Sequence, residues 1–355
     1  MSAPISHEYS MNKRLGALAM VLSATGMGLV GTFSRGATDG LLPEHKAVIG
    51  SFLAFGRMSF GVIGFLIIAL ATKKLSDVFH ARITPAVVLG GISIGLSLGC
   101  YISSTLLTSI ANAVFLIYTG PLFCTILARI FRKEKVSPLA AAFLSLVFIG
   151  MLMTIGIIGW ENGRPTFGLD LSASSAEYPL KPLGDLLGLL SGVFYGLALF
   201  FYGYRKDMDS IVRGTWNFIW AVVATLAMSI VLRPWEGVST FTGSNWAWGV
   251  GLFLVCGLFA LGWLVVAGRN LPAVEMSTIS YWECVVAIIC GLLIFHESLD
   301  FVSGIGGLLI IIGGLAPIFV SSDPEPIVEA PAPEAHLTVE DGSGEHVASP
   351  TRTRV

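Results

Sequence analysis

The fold class this sequence predicts is an all-α integral membrane protein, ten transmembrane helices arranged as two inverted five-helix repeats. Three observations predict it. First, 54% of the 355 residues are hydrophobic and only 12% are charged, where soluble folds carry about 25% charged residues, and mean hydropathy is +0.79. Second, the chain divides into ten apolar stretches, each near the roughly 20 residues that a bilayer-crossing helix needs. Third, parts of the first five stretches match parts of the second five in chain order. Net charge is close to zero, with seven of the acids in the last 35 residues. The body therefore lacks the basic patch of a nucleic-acid binder and the polarity of a disordered chain.

The stretches run over about 14–35, 47–71, 84–107, 110–131, 138–160, 182–204, 213–232, 245–268, 272–295 and 301–320. The first follows Lys13 and Arg14 as a signal peptide would, but its apolar run is too long for a signal h-region and nine more follow, so it reads as an uncleaved helix. The second carries Arg57 about a third of the way in. Gly91, Gly95 and Gly99 recur every four residues on the third, and Gly184, Gly188, Gly192 and Gly196 do so on the sixth. That spacing puts small residues on one face, where a neighbouring backbone packs closely or slides. Trp235, Trp246 and Trp248 gather at the ends of the seventh and eighth as an interfacial belt. Residues 161–181 form the one long internal loop, and residues 321–355, rich in Pro, Ala and Glu, are expected to be a disordered tail.

Basic residues orient the helices. With a cytoplasmic amino terminus, the inner ends collect Lys13, Arg14, Lys73, Lys74, Arg82, Arg129, Arg132, Lys133, Lys135, Arg205, Lys206, Arg213 and Arg269, while the outer ends hold Arg35, Lys46, Arg164, Lys181 and Arg233. Thirteen against five places both termini in the cytoplasm.

A shift of 168 matches Leu15 with Leu183, Gly16 with Gly184, Leu22 with Leu190, Ser23 with Ser191 and Gly28 with Gly196. A shift of 163 matches Tyr118 with Tyr281, Ile126 with Ile289, Glu134 with Glu297, Ile149 with Ile312 and Gly150 with Gly313. Five is odd, so the halves must cross the membrane in opposite senses. Inverted repeats of this kind mark secondary transporters, whose substrate sits between the repeats near the midplane. The expected organisation is a segment 1–13, a first repeat 14–160, a linker 161–181, a second repeat 182–320 and the tail 321–355.

The fourth-helix stretch IANAVFLIYTGPLFCTILARIFRKEKVSP and the ninth-helix stretch LPAVEMSTISYWECVVAIICGLLIFHESL each end with a Glu just past an apolar run. In these segments the chain resembles the drug/metabolite transporter superfamily, specifically its ten-helix EamA type, over residues 11–320. The resemblance implies a Pro thirteen residues before each Glu, a helix kink, which Pro121 supplies in the first half; Cys284 stands there in the second, preceded by Glu283. Arg57 also matches a common family position. The family implies export of small metabolites, amino acids above all, through a central cavity lined by helices one, three, four, six, eight and nine.

Charged groups within a span are costly, about 2.5–3.5 kcal/mol at a helix centre. Glu283 and Arg57 are the two candidates for proton coupling; Asp185 reads as interfacial, and His296 and Glu297 as a helix-end motif without chemistry. Helical spacing puts Asn112, Phe115 and Thr119 on one face of helix four and Glu275, Thr278 and Trp282 on one face of helix nine. Asn112, Phe115, Thr119, Thr278 and Trp282, with the repeat mates Tyr118 and Tyr281, are the substrate-binding candidates, and Trp263, Tyr101 and Tyr195 are weaker ones.

Cys100, Cys124, Cys256, Cys284 and Cys290 all lie in apolar runs without ligand spacing, so neither a metal nor a disulfide framework is expected. No cofactor motif is visible. HExxH, Gly-x-Ser-x-Gly and Walker sequences are missing, which argues against an enzyme and against an ATP-driven pump. The expectation is an exporter of amino acids or related metabolites in a bacterial inner membrane. Its partners would be a small-molecule substrate and the lipid bilayer, with proton coupling and a homodimer left open and no nucleic acid. Uptake of a planar aromatic such as a vitamin or nucleobase is the alternative transport reading; a channel or non-transporting scaffold is the alternative outside transport.

Overall fold

The computed structural model describes residues 12–133, 137–161, 164–167, 178–204, 208–271, 273–297 and 301–314. The expected tail 321–355, Glu134 and nearly all of the segment 1–13 lie outside them. Apolar runs of this length have one stable solution short of a closed barrel, because in lipid a helix satisfies its own backbone. Helices dominate accordingly: α1 (Lys13–Gly28), α2 (Val30–Ala37), α3 (Pro43–Ala71), α4 (Leu75–His80), α5 (Pro85–Leu107), α6 (Ile110–Ile117), α7 (Gly120–Phe131) and α8 (Pro138–Thr154). A two-stranded antiparallel hairpin follows, β1 (Ile158–Glu161) with β2 (Arg164–Phe167), Ile158 opposite Phe167. Then come α9 (Lys181–Tyr202), α10 (Ser210–Leu232), α11 (Trp235–Ser239), α12 (Gly243–Gly251), a π-helical segment Leu252–Phe259, α13 (Ala260–Asn270), α14 (Ala273–Ser280), α15 (Trp282–Ile294) and α16 (Phe301–Gly314).

Among the described residues seven helical stretches are long and apolar enough to cross a membrane, and three shorter apolar helices, Ala141–Thr154, Trp282–Ile294 and Phe301–Gly314, stand where further spans are expected. The chain is a multi-pass membrane protein. The fifth stretch is shorter than its expected 138–160: α8 ends at Thr154, and Gly156, at φ +81°, turns the chain into β1. Only glycine takes that conformation without cost.

The helices pair in a pattern that maps onto itself when the two halves are exchanged. α5 packs on α9 as α1 packs on α13, while α3 pairs with α10, α8 with α16 and α6 with α15. Both glycine ladders are packing faces. A Cβ on Gly184, Gly188, Gly192 or Gly196 of α9 would strike α5, α6 or α7, and one on Gly91 or Gly95 of α5 would strike the α10 backbone. The largest buried cluster, which includes Leu53, Tyr101, Val114, Cys256 and Cys284, sits where these pairs converge.

Candidate functional site between the broken helices

The helices at the expected fourth and ninth spans are both interrupted, and at repeat mates. Tyr118 and Thr119 separate α6 from α7, with Pro121 at the start of α7, where its missing N–H removes a bond that would have crossed the break. Tyr281 separates α14 from α15 although Cys284 replaces proline. There the Cys284 N–H tightens onto the Tyr281 carbonyl at 3.0 Å. The Ser280 carbonyl, which an α-helix would give to Cys284, instead accepts from the Tyr118 hydroxyl at 3.3 Å. One break therefore supports the other.

The same hydroxyl is 3.0 Å from Oε2 of Glu283, and the rings of Tyr118 and Tyr281 lie 5.3 Å apart at 37°. Tyr118, Tyr281 and Tyr195 all pack against the central cluster, and each keeps part of its surface accessible, as Glu283 does. A Cβ on Gly28 of α1 would sit 2.7 Å from the Glu283 carbonyl, so the first helix passes directly beside this turn.

Arg57, 2% exposed, approaches the same region from α3. Its Nε donates to the Cys256 carbonyl at 3.2 Å, inside the π-helical segment, and Nη2 lies 2.8 Å from Met27 Sδ. π-Helical turns occur often at functional sites. No ion pair within 4.0 Å joins Arg57 to Glu283 among the described residues.

The remaining candidates separate. Asn112, Phe115 and Thr119 are all buried in helix contacts, made with α8, α16 and α9 in turn. Asn112 Nδ2 donates to the Thr154 carbonyl at 3.4 Å, Phe115 fills the place of a side chain on Gly307, and Thr119 lies against Gly192. Trp282 is exposed and Glu275 half-buried, Glu275 pairing with Lys13 at 2.9 Å and Trp282 Nε1 donating to Thr25 Oγ1 at 3.0 Å. Trp263 packs on Phe259 in a separate cluster. The backbone of Thr278 is helical and its side chain lies outside the described ones. Tyr101 is buried in the central cluster.

Sequence reasoning missed a second ionic centre, at the opposite end of α15 from Tyr281. His296, at φ 53°, turns the chain so that the Glu297 N–H closes onto the Gly291 carbonyl at 3.1 Å and its side chain turns inward. The carboxylate accepts from the Ile110 N–H at 3.1 Å and from the Tyr178 hydroxyl at 3.0 Å, and it pairs with Arg35. Arg35 also donates to the carbonyls of Thr105 at 2.8 Å and Thr108 at 2.7 Å. Glu297 is thus a buried anchor rather than an idle helix end. Asp185, expected at the interface, is likewise buried, accepting from Thr108 Oγ1 at 2.7 Å and pairing with Lys181 at 2.8 Å. A cavity of about 260 Å³ opens beside Arg35, Lys46, Tyr178 and Phe295. The signal available in the sequence was the pairing of Glu297 with an equally placed Glu134 in the first half. Tyr178, near the end of the linker, carried none.

Two interrupted helices, facing each other across a buried polar centre, define a membrane transporter of small solutes. The chain belongs to the EamA-like transporter family of the drug/metabolite transporter superfamily, whose family model matches residues 14–156 and 182–316. The two matched segments lie one in each half of the chain. A solved structure described as "Crystal structure of protein" is similar over 87% of this chain and 98% of its own, at 17% identity and a TM-score of 0.53, a likeness of fold alone. No curated protein matches the chain.

Proposed function

We propose that this chain is a secondary transporter of the bacterial cytoplasmic membrane, built of ten spans in two inverted repeats with both termini in the cytoplasm. It exports amino acids or related small metabolites by alternating access. The observation that carries this reading is the Glu283 carboxylate held by Tyr118 between the two interrupted helices. A carboxylate at that depth is costly unless it is used. Set between two halves that pack as mates, it is positioned to take a proton from one side and release it to the other. The base asymmetry supports the orientation, and the two matched segments support a first repeat over 14–160 and a second over 182–320.

A second reading, uptake of a planar aromatic, is favoured by the rings of Tyr118 and Tyr281 and by Tyr195 beside them. Reconstituted vesicles separate the two. Counterflow of labelled amino acids, with labelled nucleobases and vitamins in parallel and an ion-flux control, supports export of amino acids if they alone exchange. Exchange of the aromatics alone selects the second reading. Ion flux without exchange of either would reduce the chain to a channel.

A further inference from the structure

We propose that the Arg57 Nη1–H and the Tyr101 hydroxyl form an anchor for a carboxylate group on the transported solute. The inference rests on the reading of this chain as a transporter of amino acids or related metabolites, and it names the residues that would recognise them.

Among the described residues ten buried side-chain polar atoms lack a partner, and two of them stand apart by their chemistry, the single charged group and the single phenol. One is Nη1 of Arg57 and the other is the hydroxyl of Tyr101, each on a residue only 2% exposed. Leaving a buried donor unsatisfied costs about 1–3 kcal/mol, more for a charged group, and native interiors seldom tolerate it without a reason. Arg57 is held so that this one edge stays free: Nε is taken by the Cys256 carbonyl and Nη2 by Met27. Gly257 allows that placement, since a Cβ there would lie 2.8 Å from the Arg57 carbonyl and 3.5 Å from its Cγ.

The two orphans border one cluster. Tyr101, Cys256 and Cys284 belong to the same packed core, with Tyr118, Tyr195 and Tyr281 against it. Met27, which touches Arg57, is followed by Gly28, which touches Glu283. Arg57 and Tyr101 come from helices that pack on each other, α3 and α5, with Gly50 of α3 against Ser103 of α5.

The chemistry of the pair is specific. A guanidinium edge can only donate, and a phenol hydroxyl beside it completes a second hydrogen bond to an anionic oxygen. A planar carboxylate matches that geometry. A dianion such as a phosphate monoester would be repelled by Glu283 nearby, whereas a solute carrying an ammonium beside its carboxylate would not. A neutral nucleobase would leave the guanidinium charge without a counter-charge.

The test uses the full chain in proteoliposomes with labelled leucine, phenylalanine and threonine, each competed by its own amide and its own decarboxylated amine. The wild type is expected to exchange at least one amino acid, with amide and amine competing at least about tenfold more weakly, the loss expected when a charged hydrogen bond is removed. Tyr101→Phe keeps the shape and removes the donor. It should raise the half-saturating concentration of that amino acid about tenfold while leaving its maximal rate and the competition by the amide near wild type. Arg57→Gln should abolish the preference for the carboxylate, and Arg57→Lys should restore part of it; if Arg57→Gln fails to insert, Tyr101→Phe carries the test alone. Amide and amine competing as well as the amino acid, or Tyr101→Phe leaving half-saturation unchanged or slowing every solute equally, would overturn the anchor while export of amino acids stands. Exchange of none of the three amino acids overturns both.

Discussion

The Tyr118 hydroxyl lies 3.0 Å from the Glu283 carboxylate and 3.3 Å from the Ser280 carbonyl, so the break in one helix is tied to the break in its repeat mate. A helix interruption inside a membrane leaves backbone groups that lipid cannot satisfy. Here one hydroxyl, with a single proton to give, is shared between such a carbonyl and the half-buried Glu283 carboxylate. Displacing the turn between α14 and α15 relative to Tyr118 would change both contacts.

Glu283→Gln removes titration and keeps the shape. In vesicles with an imposed proton gradient, this variant is expected to lose accumulation against a concentration gradient while solute exchange without a gradient stays partly active. Accumulation with the pH dependence of the wild type would make Glu283 a structural group.

How much of this was legible depended on what each residue had to meet. Pro121 announces the first break in the sequence, since a proline within an apolar run must interrupt its hydrogen bonds. The second break carries no such mark: the Cys284 N–H closes locally onto the Tyr281 carbonyl, and Tyr118 of the other half takes the Ser280 carbonyl this frees. Asn112, Phe115 and Thr119 fall on one face by spacing alone, but spacing does not say whether that face meets a cavity or a helix. Glycines far away in sequence, Gly192 and Gly307, make it a helix contact. The repeat pairing with Glu134 marks Glu297 in the sequence but not its partners, since Arg35, Ile110 and Tyr178 come from three distant segments.

The glycine ladder of α5 predicts two outcomes from one chemical change. A Cβ on Gly95 would lie 2.7 Å from the Ala221 carbonyl oxygen and 2.8 Å from its Cα, so the α10 backbone would have to move. On Gly99 it would meet the Met228 sulfur at 2.7 Å, part of a flexible side chain. Gly95→Ala should destabilise by about 1–3 kcal/mol, whereas at Gly99→Ala the gain in helix propensity, about 1 kcal/mol, should offset the adjustment. Thermal melting in detergent should rank Gly95→Ala well below a near-neutral Gly99→Ala.

Asp209, outside the spans, caps α10 through the N–H groups of Ile211 at 3.0 Å and Val212 at 3.4 Å and pairs with Lys74. Partial burial pushes its carboxyl upward, but the Lys74 ammonium and the two N–H groups outweigh it and hold the carboxyl below its ordinary value. A carboxyl lowered in the folded state contributes stability that is present above the unfolded value, about 4, and is lost as pH falls through the folded one. Asp209→Asn should therefore melt below the wild type near neutral pH, and the gap should close as the pH is taken below about 4. A gap that persists unchanged in acid would show that the ionised carboxylate is not what stabilises this corner.

Orientation is testable with single cysteines in a background stripped of the native five. Arg164 lies in the hairpin after α8, and Met208 just before α10. Arg164→Cys should react with a membrane-impermeant maleimide added to intact cells, and Met208→Cys only after the cells are opened. The reverse pattern would contradict the orientation drawn from the basic residues.

The Arg35–Glu297 pair yields the largest expected effect on stability. Their side chains are 12% and 5% exposed, and both are saturated with hydrogen bonds: Arg35 to two carbonyls at the end of α5, Glu297 to the first N–H of α6 and to Tyr178. Removing one partner strands a buried charge, which costs about 3–5 kcal/mol. Arg35→Gln leaves the carboxylate with Tyr178 and the helix terminus, so it should cost less than Glu297→Gln, which leaves a guanidinium facing an amide. Tyr178→Phe should be the mildest, about 1 kcal/mol. Because the two charges share one network, the double variant should cost clearly less than the sum of the singles. Chemical denaturation of purified protein in micelles measures all four. Additive losses would mean that Arg35 and Glu297 act through separate contacts, the carbonyls of α5 on one side and the start of α6 on the other, and that the pair itself contributes nothing.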